Sequence, residues 1–219
     1  MIDFPLLTTD TPVDGVILGD GDYPCHPLAL SLLHRAPYIC CCDGAGAQLI
    51  AHGGRPDAIV GDGDSLSMEF QQRFADILHL VDEQDDNDLT KATRHCIRQG
   101  LRRLAYLGAT GKREDHTLGN ISLLARYALE MDVEGMMITD YGYFVAAQGR
   151  HTFGTFARQQ VSIFNLGCSH LSGKGFRWQP YSYTSLWQGT LNEAVGNEVV
   201  LDGDGSYLVF RTFDAKKAD

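Results

Sequence analysis

Six short apolar runs, separated by longer stretches of helical period, fix what the N-terminal part of this chain can become. The runs are Gly15-Leu18, Tyr38-Cys42, Ala58-Val60, Ile77-Leu80, Leu104-Leu107 and Gly135-Thr139. Helical period between them predicts helices at Pro27-Arg35, Gly46-His52, Met68-Phe74, Asp88-Gln99 and His116-Glu130. Strands that alternate with helices build a parallel sheet with crossover helices, the architecture of a Rossmann-like α/β domain. In the last helix Leu118, Ile121, Leu124, Ala125 and Ala128 fall on one apolar stripe, which would face the sheet.

After about Gly142 the helical period disappears. Short runs rich in Val, Phe, Tyr, Thr and Trp now stand between Gly, Asn, Asp and Pro, which is the composition of strands and turns. Val161-Phe164, Tyr183-Trp187 and Tyr207-Thr212 read as strands, and Asp202-Gly203-Asp204-Gly205 as the turn of a hairpin. The chain is therefore expected to divide within Tyr141-Gly149, into an α/β domain at 1–145 and an all-β domain at 146–219. The charged tail Lys216-Lys217-Ala218-Asp219 is expected to fray.

A chain of 219 residues, 44% hydrophobic and 21% charged, can bury two such cores. The formal net charge of -10 argues against nucleic acid or an anionic membrane as partner, since no basic patch offsets it. No run approaches eighteen apolar residues, and the first residues lack a basic stretch leading into an apolar one. Of six cysteines, Cys40, Cys41 and Cys42 are consecutive in an apolar run and read as small core residues. Neither they nor Cys25, Cys96 and Cys168 form a C-x-x-C pair, so zinc is set aside. His26, His34, His52 and His79 are scattered over different elements and receive no role. A reducing cytoplasm fits this usage.

The acids are placed less evenly. Asp43 follows the second run, Asp62 and Asp64 the third, Asp85, Asp86 and Asp88 the fourth, and Asp115 the fifth. The carboxyl ends of the strands of an open parallel sheet are where ligands bind, so these acids should converge on one cleft. Two carboxylates about 4 Å apart repel by about 4 kcal/mol at an effective dielectric near 20, so a cation must offset them. Mg²⁺ fits, being commonly held by one or two carboxylates together with substrate phosphates. Any single Asp could equally cap a helix or make a turn. Gly61-Asp62-Gly63-Asp64-Ser65, with two acids in one tight loop, favours function, and Asp62 and Asp64 become the metal candidates.

Gly108-Ala109-Thr110-Gly111-Lys112-Arg113-Glu114-Asp115-His116 follows a strand and opens a helix. Its glycines, the free N–H groups at the helix start and the cations Lys112 and Arg113 suit an anion. The spacing is neither that of a Walker A loop nor a dinucleotide G-x-G-x-x-G. The plain alternative is a helix start capped by Asp115 with solvated basic residues. At Asp88-Leu89-Thr90-Lys91, Asp88 is either the N-cap or a substrate or metal contact, and Lys91 either structural or a phosphate contact. Trp178 reads as core, with a cation platform as the alternative.

Taken in order, Asp43-Gly44-Ala45, Gly61-Asp62-Gly63-Asp64-Ser65-Leu66, Asn87-Asp88-Leu89-Thr90-Lys91-Ala92 and the 108–116 segment resemble the successive motifs of the thiamine pyrophosphokinase family. The resemblance covers nearly the whole chain. It implies an α/β nucleotide-binding catalytic domain, a C-terminal thiamine-binding β-sandwich, and a homodimer whose active site lies between the α/β domain of one subunit and the β domain of the other. It also implies that Asp43, Asp62, Asp64 and Asp88 surround Mg²⁺, phosphates and thiamine, and that Arg113 and Asp115 complete the nucleotide side. Trp178 would pack on thiamine, with Asn197 nearby. Gly63 stands where the family usually has a larger residue, and Gly196-Asn197 where a Ser-Asn pair is common.

The reaction expected is attack of the thiamine hydroxyl on the β-phosphorus of ATP with AMP leaving. Asp62, Asp64, Asp88 and Arg113 would be the catalytic set, with Asp88 near the hydroxyl. ATP phosphates would meet Asp43, Lys91, Gly108, Thr110, Gly111, Lys112, Arg113, Asp115 and His116, while Asp88, Trp178 and Asn197 would meet thiamine. Two other readings stay open: a Mg²⁺-dependent nucleotide phosphohydrolase, and a thiamine- or nucleotide-binding sensor without chemistry.

Overall fold

The computed structural model describes residues 1–216. The chain forms two compact units, Thr9–Asp140 and a second made of Met1–Thr8 with everything from Tyr141 onward. A cut between 145 and 146 would sever a strand that runs Gly142–Gly154, and the first eight residues join the β unit rather than the α/β one. Of the expected frayed tail, Lys216 donates its backbone N–H to Arg158 O at 3.0 Å, and residues 217–219 lie outside the described range.

In chain order the α/β unit contains β1 (Gly15–Leu18), α1 (Pro27–Arg35), β2 (Ile39–Cys42), α2 (Ala45–Ala51), β3 (Ala58–Gly61) and α3 (Met68–Arg73). It continues with β4 (Leu78–Leu80), α4 (Asp88–Arg98), β5 (Arg103–Leu107), α5 (Glu114–Glu130) and β6 (Glu134–Ile138). Every expected strand and helix of this unit is present, within two residues at either end. The strands are all parallel, in the order β4-β3-β2-β1-β5-β6. The order reverses between β1 and β5, which leaves a crevice at their carboxyl ends.

The runs are legible because both faces of the inner strands are covered. Val16, Ile17, Cys40, Cys41, Ile59, Val60 and the stretch Leu104 to Leu107 have no exposed surface, and Leu18 and Cys42 have almost none. The cysteine triplet is thus core, as its setting predicts, and all six cysteines are free thiols. Helix α5 buries Leu124, Ala125 and Tyr127, but Leu118 at the start of the expected stripe is exposed. Tyr127 OH instead reaches Thr90 Oγ1 at 2.7 Å, and Tyr106 OH reaches Thr93 Oγ1 at 3.1 Å, so the hydroxyls brought into this core pair with threonines of α4.

The β unit contains β7 (Gly142–Gly154), β8 (Gln159–Asn165), β9 (Leu171–Lys174), β10 (Asn192–Glu193) and β11 (Glu198–Ala215). It is antiparallel, with β11 flanked by β7 along its length and by β9 and then β8 on its other edge, and β10 beyond β8. Two expectations fail here. Tyr183-Trp187 is not a strand; it leads into a 3₁₀ turn, Leu186–Gly189, closed by a capping box between Ser185 and Gln188. Asp202-Gly203-Asp204-Gly205 is not a hairpin turn but the inside of β11, where the register against β7 shifts between Asp202 and Ser206. Glycines inside a strand mark such an irregularity as often as a turn. Among the described residues no helix is long and apolar enough to cross a membrane.

Candidate active site

The carboxyl ends of β1, β2, β3 and β5 open into one cleft of about 420 Å³ within the α/β unit. Asp43, Asp62 and Asp88 line it together with Lys91, Gly108, Gly111, Lys112, Arg113 and His116. Acids separated by 45 residues along the chain therefore meet, as strand order requires. Asp64 is exposed, and its contribution is a backbone N–H donated to Asp62 Oδ1 at 3.1 Å, which closes the loop on Asp62. Gly63 between them has φ +82°, and a Cβ there would lie 2.9 Å from Leu80 Cδ2, so the small residue at this position is what the loop needs.

Asp43 stands directly after β2 at φ 36° and is 4% exposed. Ser65 N donates to its Oδ2 at 3.1 Å, while Oδ1 is buried with no hydrogen-bond partner among the described residues. An unpaired carboxylate oxygen held out of water costs several kcal/mol unless a cation or donor meets it. No group of three His, Cys, Asp or Glu side chains among the described residues makes a ready cage for a metal ion. Mg²⁺ does not need one, because it keeps waters and takes phosphate oxygens beside one or two carboxylates. Carboxylate oxygens such as those of Asp43 and Asp62 in the cleft lining are the donors such an ion takes.

Helix α4 does not start with Asp88 as its cap. Asn87 is the N-cap, its Oδ1 accepting from Thr90 N at 3.0 Å, so Asp88 sits at the first helical position with its side chain free of capping. One turn on, Lys91 places Nζ 3.3 Å from Asp88 Oδ1 with only 3% of its side chain exposed. Burial pushes the Asp88 carboxyl above its ordinary value, Lys91 pulls it back, and the charges of Asp62 and Asp43 push it up again. That mutual influence is the electrostatic signature of converging acids.

The loops after β1 and β5 are stitched together. Gly19 N donates to Leu107 O, Gly21 N to Gly108 O and Asp22 N to Thr110 O, at 2.7 to 2.8 Å. A Cβ on Gly21 would fall 2.1 Å from Thr110 O, so the close approach depends on glycine there. Thr110 serves the stitching, and Gly111 N donates to Thr117 Oγ1 at 3.1 Å. Helix α5 begins at Glu114 with Arg113 at the N-cap and no side-chain cap, so Asp115 is not the cap that the plain reading made it. It pairs instead with Arg113 at 2.6 Å, and that guanidinium holds its carboxyl down at about 2.

Two models of one family match this chain. The catalytic domain of thiamin pyrophosphokinase matches residues 29–135, and its substrate-binding domain matches residues 142–210. The chain belongs to the thiamin pyrophosphokinase family. Thiamin pyrophosphokinase 1 of Caenorhabditis elegans is 31% identical over 108 residues, 45% of this chain and 44% of that protein. Thiamine pyrophosphokinase 1 of Oryza sativa subsp. japonica is 33% identical over 85 residues, 34% of this chain and 32% of that one. The matched stretch thus spans less than half the length of these relatives. Among solved structures, thiamin pyrophosphokinase from Candida albicans superposes with a TM-score of 0.76 at 16% identity, covering 96% of this chain and 92% of its own. The enzyme from Geobacillus thermodenitrificans gives 0.72 at 24% identity, covering 91% and 97%. At these identities the likeness is one of fold.

The remaining residues expected at the site, Trp178 and Asn197, lie in the stretch matched by the thiamin pyrophosphokinase substrate-binding domain. Trp178 is not core: it is 51% exposed, held by its N–H on Asn192 Oδ1 at 3.2 Å and by its O accepting from Asn192 Nδ2 at 2.7 Å. The Arg177 guanidinium lies 5.0 Å from its ring centre. Asn197 is exposed and its O accepts from Thr155 N at 2.9 Å. Sequence reasoning passed over Asp20, which lines the catalytic cleft and accepts from Gln48 Nε2 and, at 3.3 Å, from Lys112 Nζ. The signal was there, since Asp20 follows β1 as the other acids follow their strands. Asn120 was missed too; it lines the cleft and ties Ala109 O to Asn87.

Proposed function

We propose that this chain transfers a pyrophosphoryl group from ATP to the hydroxyl of thiamine. The observation that carries the reading is Asp43, a cleft residue with a buried, unpartnered Oδ1, in a lining it shares with Asp62, Asp88 and Lys91 and with Lys112 and Arg113 of the glycine-rich loop. Acids that need a cation beside cations that need an anion suit a metal-bound polyphosphate, and family membership names the acceptor. Bound Mg²⁺ would neutralise charge on the bridging and terminal phosphate oxygens. Asp43 and Asp62 would hold it, with Asp64 the further metal candidate from the sequence.

In this reading the thiamine oxygen forms a bond to the β-phosphorus while the bond from that phosphorus to the α,β-bridging oxygen breaks and AMP departs. The hydroxyl proton passes to the Asp88 carboxylate, whose raised proton affinity suits it to a base. Lys91, Lys112 and Arg113 bind phosphate oxygens, with Asp115 holding Arg113 and His116 beside it. Trp178 offers a flat face to the cationic thiazolium, with Asn197 as a polar contact. A homodimer, in which these two residues serve the acids of the other copy, and a cytoplasmic location complete the proposal.

The deciding experiment is AMP release by the purified chain given ATP and Mg²⁺, with and without thiamine, with thiamine diphosphate measured by mass. Equal amounts of AMP and thiamine diphosphate, formed only with thiamine, support the reading. AMP or ADP formed equally without thiamine would make the chain a phosphohydrolase, and binding without turnover would make it a sensor.

A further inference from the structure

Asp86 lines the same cleft as Asp43, Asp62 and Asp88, and its place in the sequence after β4 groups it with them. Its chemistry differs. The side chain is 9% exposed, and both oxygens are already taken. Oδ1 accepts from Arg126 Nη1 of α5 at 2.6 Å, and Oδ2 from Arg94 Nη2 of α4. Each arginine has a second anchor: Arg94 Nη1 donates to both oxygens of Glu83 at 2.9 and 3.1 Å, and Arg126 Nε lies 3.7 Å from Glu130 Oε2. A carboxylate with a guanidinium on each oxygen has its charge already offset from two sides, which leaves it a weaker partner for a metal than an unpaired acid.

We propose that Asp86 is a positioning residue: as the shared counter-ion of Arg94 and Arg126, it fastens the segment carrying Asp88 to two helices at once. The segment is fastened at its next residue as well, where Asn87 Nδ2 donates to Asn120 Oδ1 at 2.8 Å and Asn120 Nδ2 donates to Ala109 O at 2.7 Å. Asp88 therefore emerges from a stretch of backbone tied to α4, to α5 and to the loop after β5, and its distance from Asp43 and Asp62 is set by those ties. Transfer between two bound substrates depends on such distances, and a displacement of about 1 Å can lower turnover on the order of a hundredfold. The catalytic half of this claim rests on the function proposed above; the positional half does not.

The test uses the full chain with Asp86→Asn, which keeps shape and loses charge, and Arg126→Met, which removes one partner outside the cleft lining. For Asp86→Asn, kcat for thiamine diphosphate formation should fall roughly ten- to a hundredfold while KM for ATP stays within about threefold. Arg126→Met should lower kcat in the same direction, and the double variant should be no worse than Asp86→Asn, because both changes cut one network. Amide exchange at Thr90 and Lys91, whose N–H groups donate to Asn87 O, should quicken in both variants. An unchanged kcat and unchanged exchange in Asp86→Asn would overturn the proposal, as would a tenfold rise in KM for ATP at constant kcat, which would make Asp86 a ligand contact. If the unaltered chain forms no thiamine diphosphate, the functional reading fails and the exchange measurement alone decides whether Asp86 positions the segment.

Discussion

The Lys91 ammonium lies 3.3 Å from the Asp88 carboxylate, one helical turn away and almost wholly out of solvent. The pair balances a charge that Asp43 and Asp62 would otherwise repel, and it leaves the second Asp88 oxygen for the cleft. Removing the cation should therefore harm turnover more than stability. Lys91→Met is expected to lower kcat/KM for ATP at least tenfold, read by steady-state AMP release, with a melting temperature within a few degrees of the original.

Asp88→Asn keeps the helix start intact, because Asn87 and not Asp88 provides the cap. A base at this position accounts for about 10²- to 10⁴-fold in rate. The substitution is expected to lower turnover by that factor while the thermal unfolding curve stays in place, and unchanged turnover would remove Asp88 from the mechanism.

His95 is buried, with its Nε2 2.8 Å from Tyr38 OH and its ring 4.4 Å from that of His79. Burial lowers its proton affinity to about 4, and the charges of His79 and Arg98 add to the effect. The unfolded chain binds this proton below about 6.5 and the folded chain only below about 4, so acid favours unfolding across that window. The contribution present above pH 6.5, on the order of 2 to 3 kcal/mol, should be lost as pH falls to 4. Urea unfolding at a series of pH values should show this slope, and His95→Gln should flatten it.

Gly196 has open space where a Cβ would stand. A serine fits there without moving a neighbour, which restores the Ser-Asn pair common in the family beside the exposed Asn197. Gly196→Ser is expected to leave the melting temperature unchanged and to lower KM for thiamine severalfold. An unchanged KM would detach this loop from the thiamine site.

Arg211 is 1% exposed inside the β unit, donates Nη1 to Phe4 O at 2.9 Å and Gly154 O at 2.7 Å, and lies over the rings of Tyr143 and Phe153. Arg211→Met keeps the bulk and removes the buried hydrogen bond to Gly154 O and one of the two donors to Phe4 O, which still accepts from Gly154 N. A loss of about 2 to 4 kcal/mol is expected in denaturant unfolding, with the N-terminal residues becoming open to protease.

Much of the α/β unit was legible because a strand buried on both faces must be apolar throughout, as Val16, Ile17 and Leu18 are, and the acids could be placed by strand order alone. What escaped were choices between neighbours of equal chemistry. Asn87 and Asp88 are both good caps, and only tertiary packing decides that Asn87 takes the role. Asp86 and Asp88 look alike in sequence, yet one is enclosed by arginines from two helices and the other faces the cleft. Trp178 read as core because a tryptophan usually is, whereas its backbone is pinned by Asn192 with the ring left half in water. In the β unit, Gly203 and Gly205 carry the same turn signal whether the chain reverses or, as in β11, continues through a register shift.

The 207 residues separating Arg211 from Phe4 bear on how the molecule comes into being. The first residues pair with β7, through Phe4 beside Phe153, and with Arg211, all of which are made after residues 9–140, so during synthesis this segment is without its partners until that stretch has emerged. The edge of β7 that pairs with β11 has no partner until β11 leaves the ribosome. Arg211, which joins Phe4 to Gly154, is the last of these partners to be made.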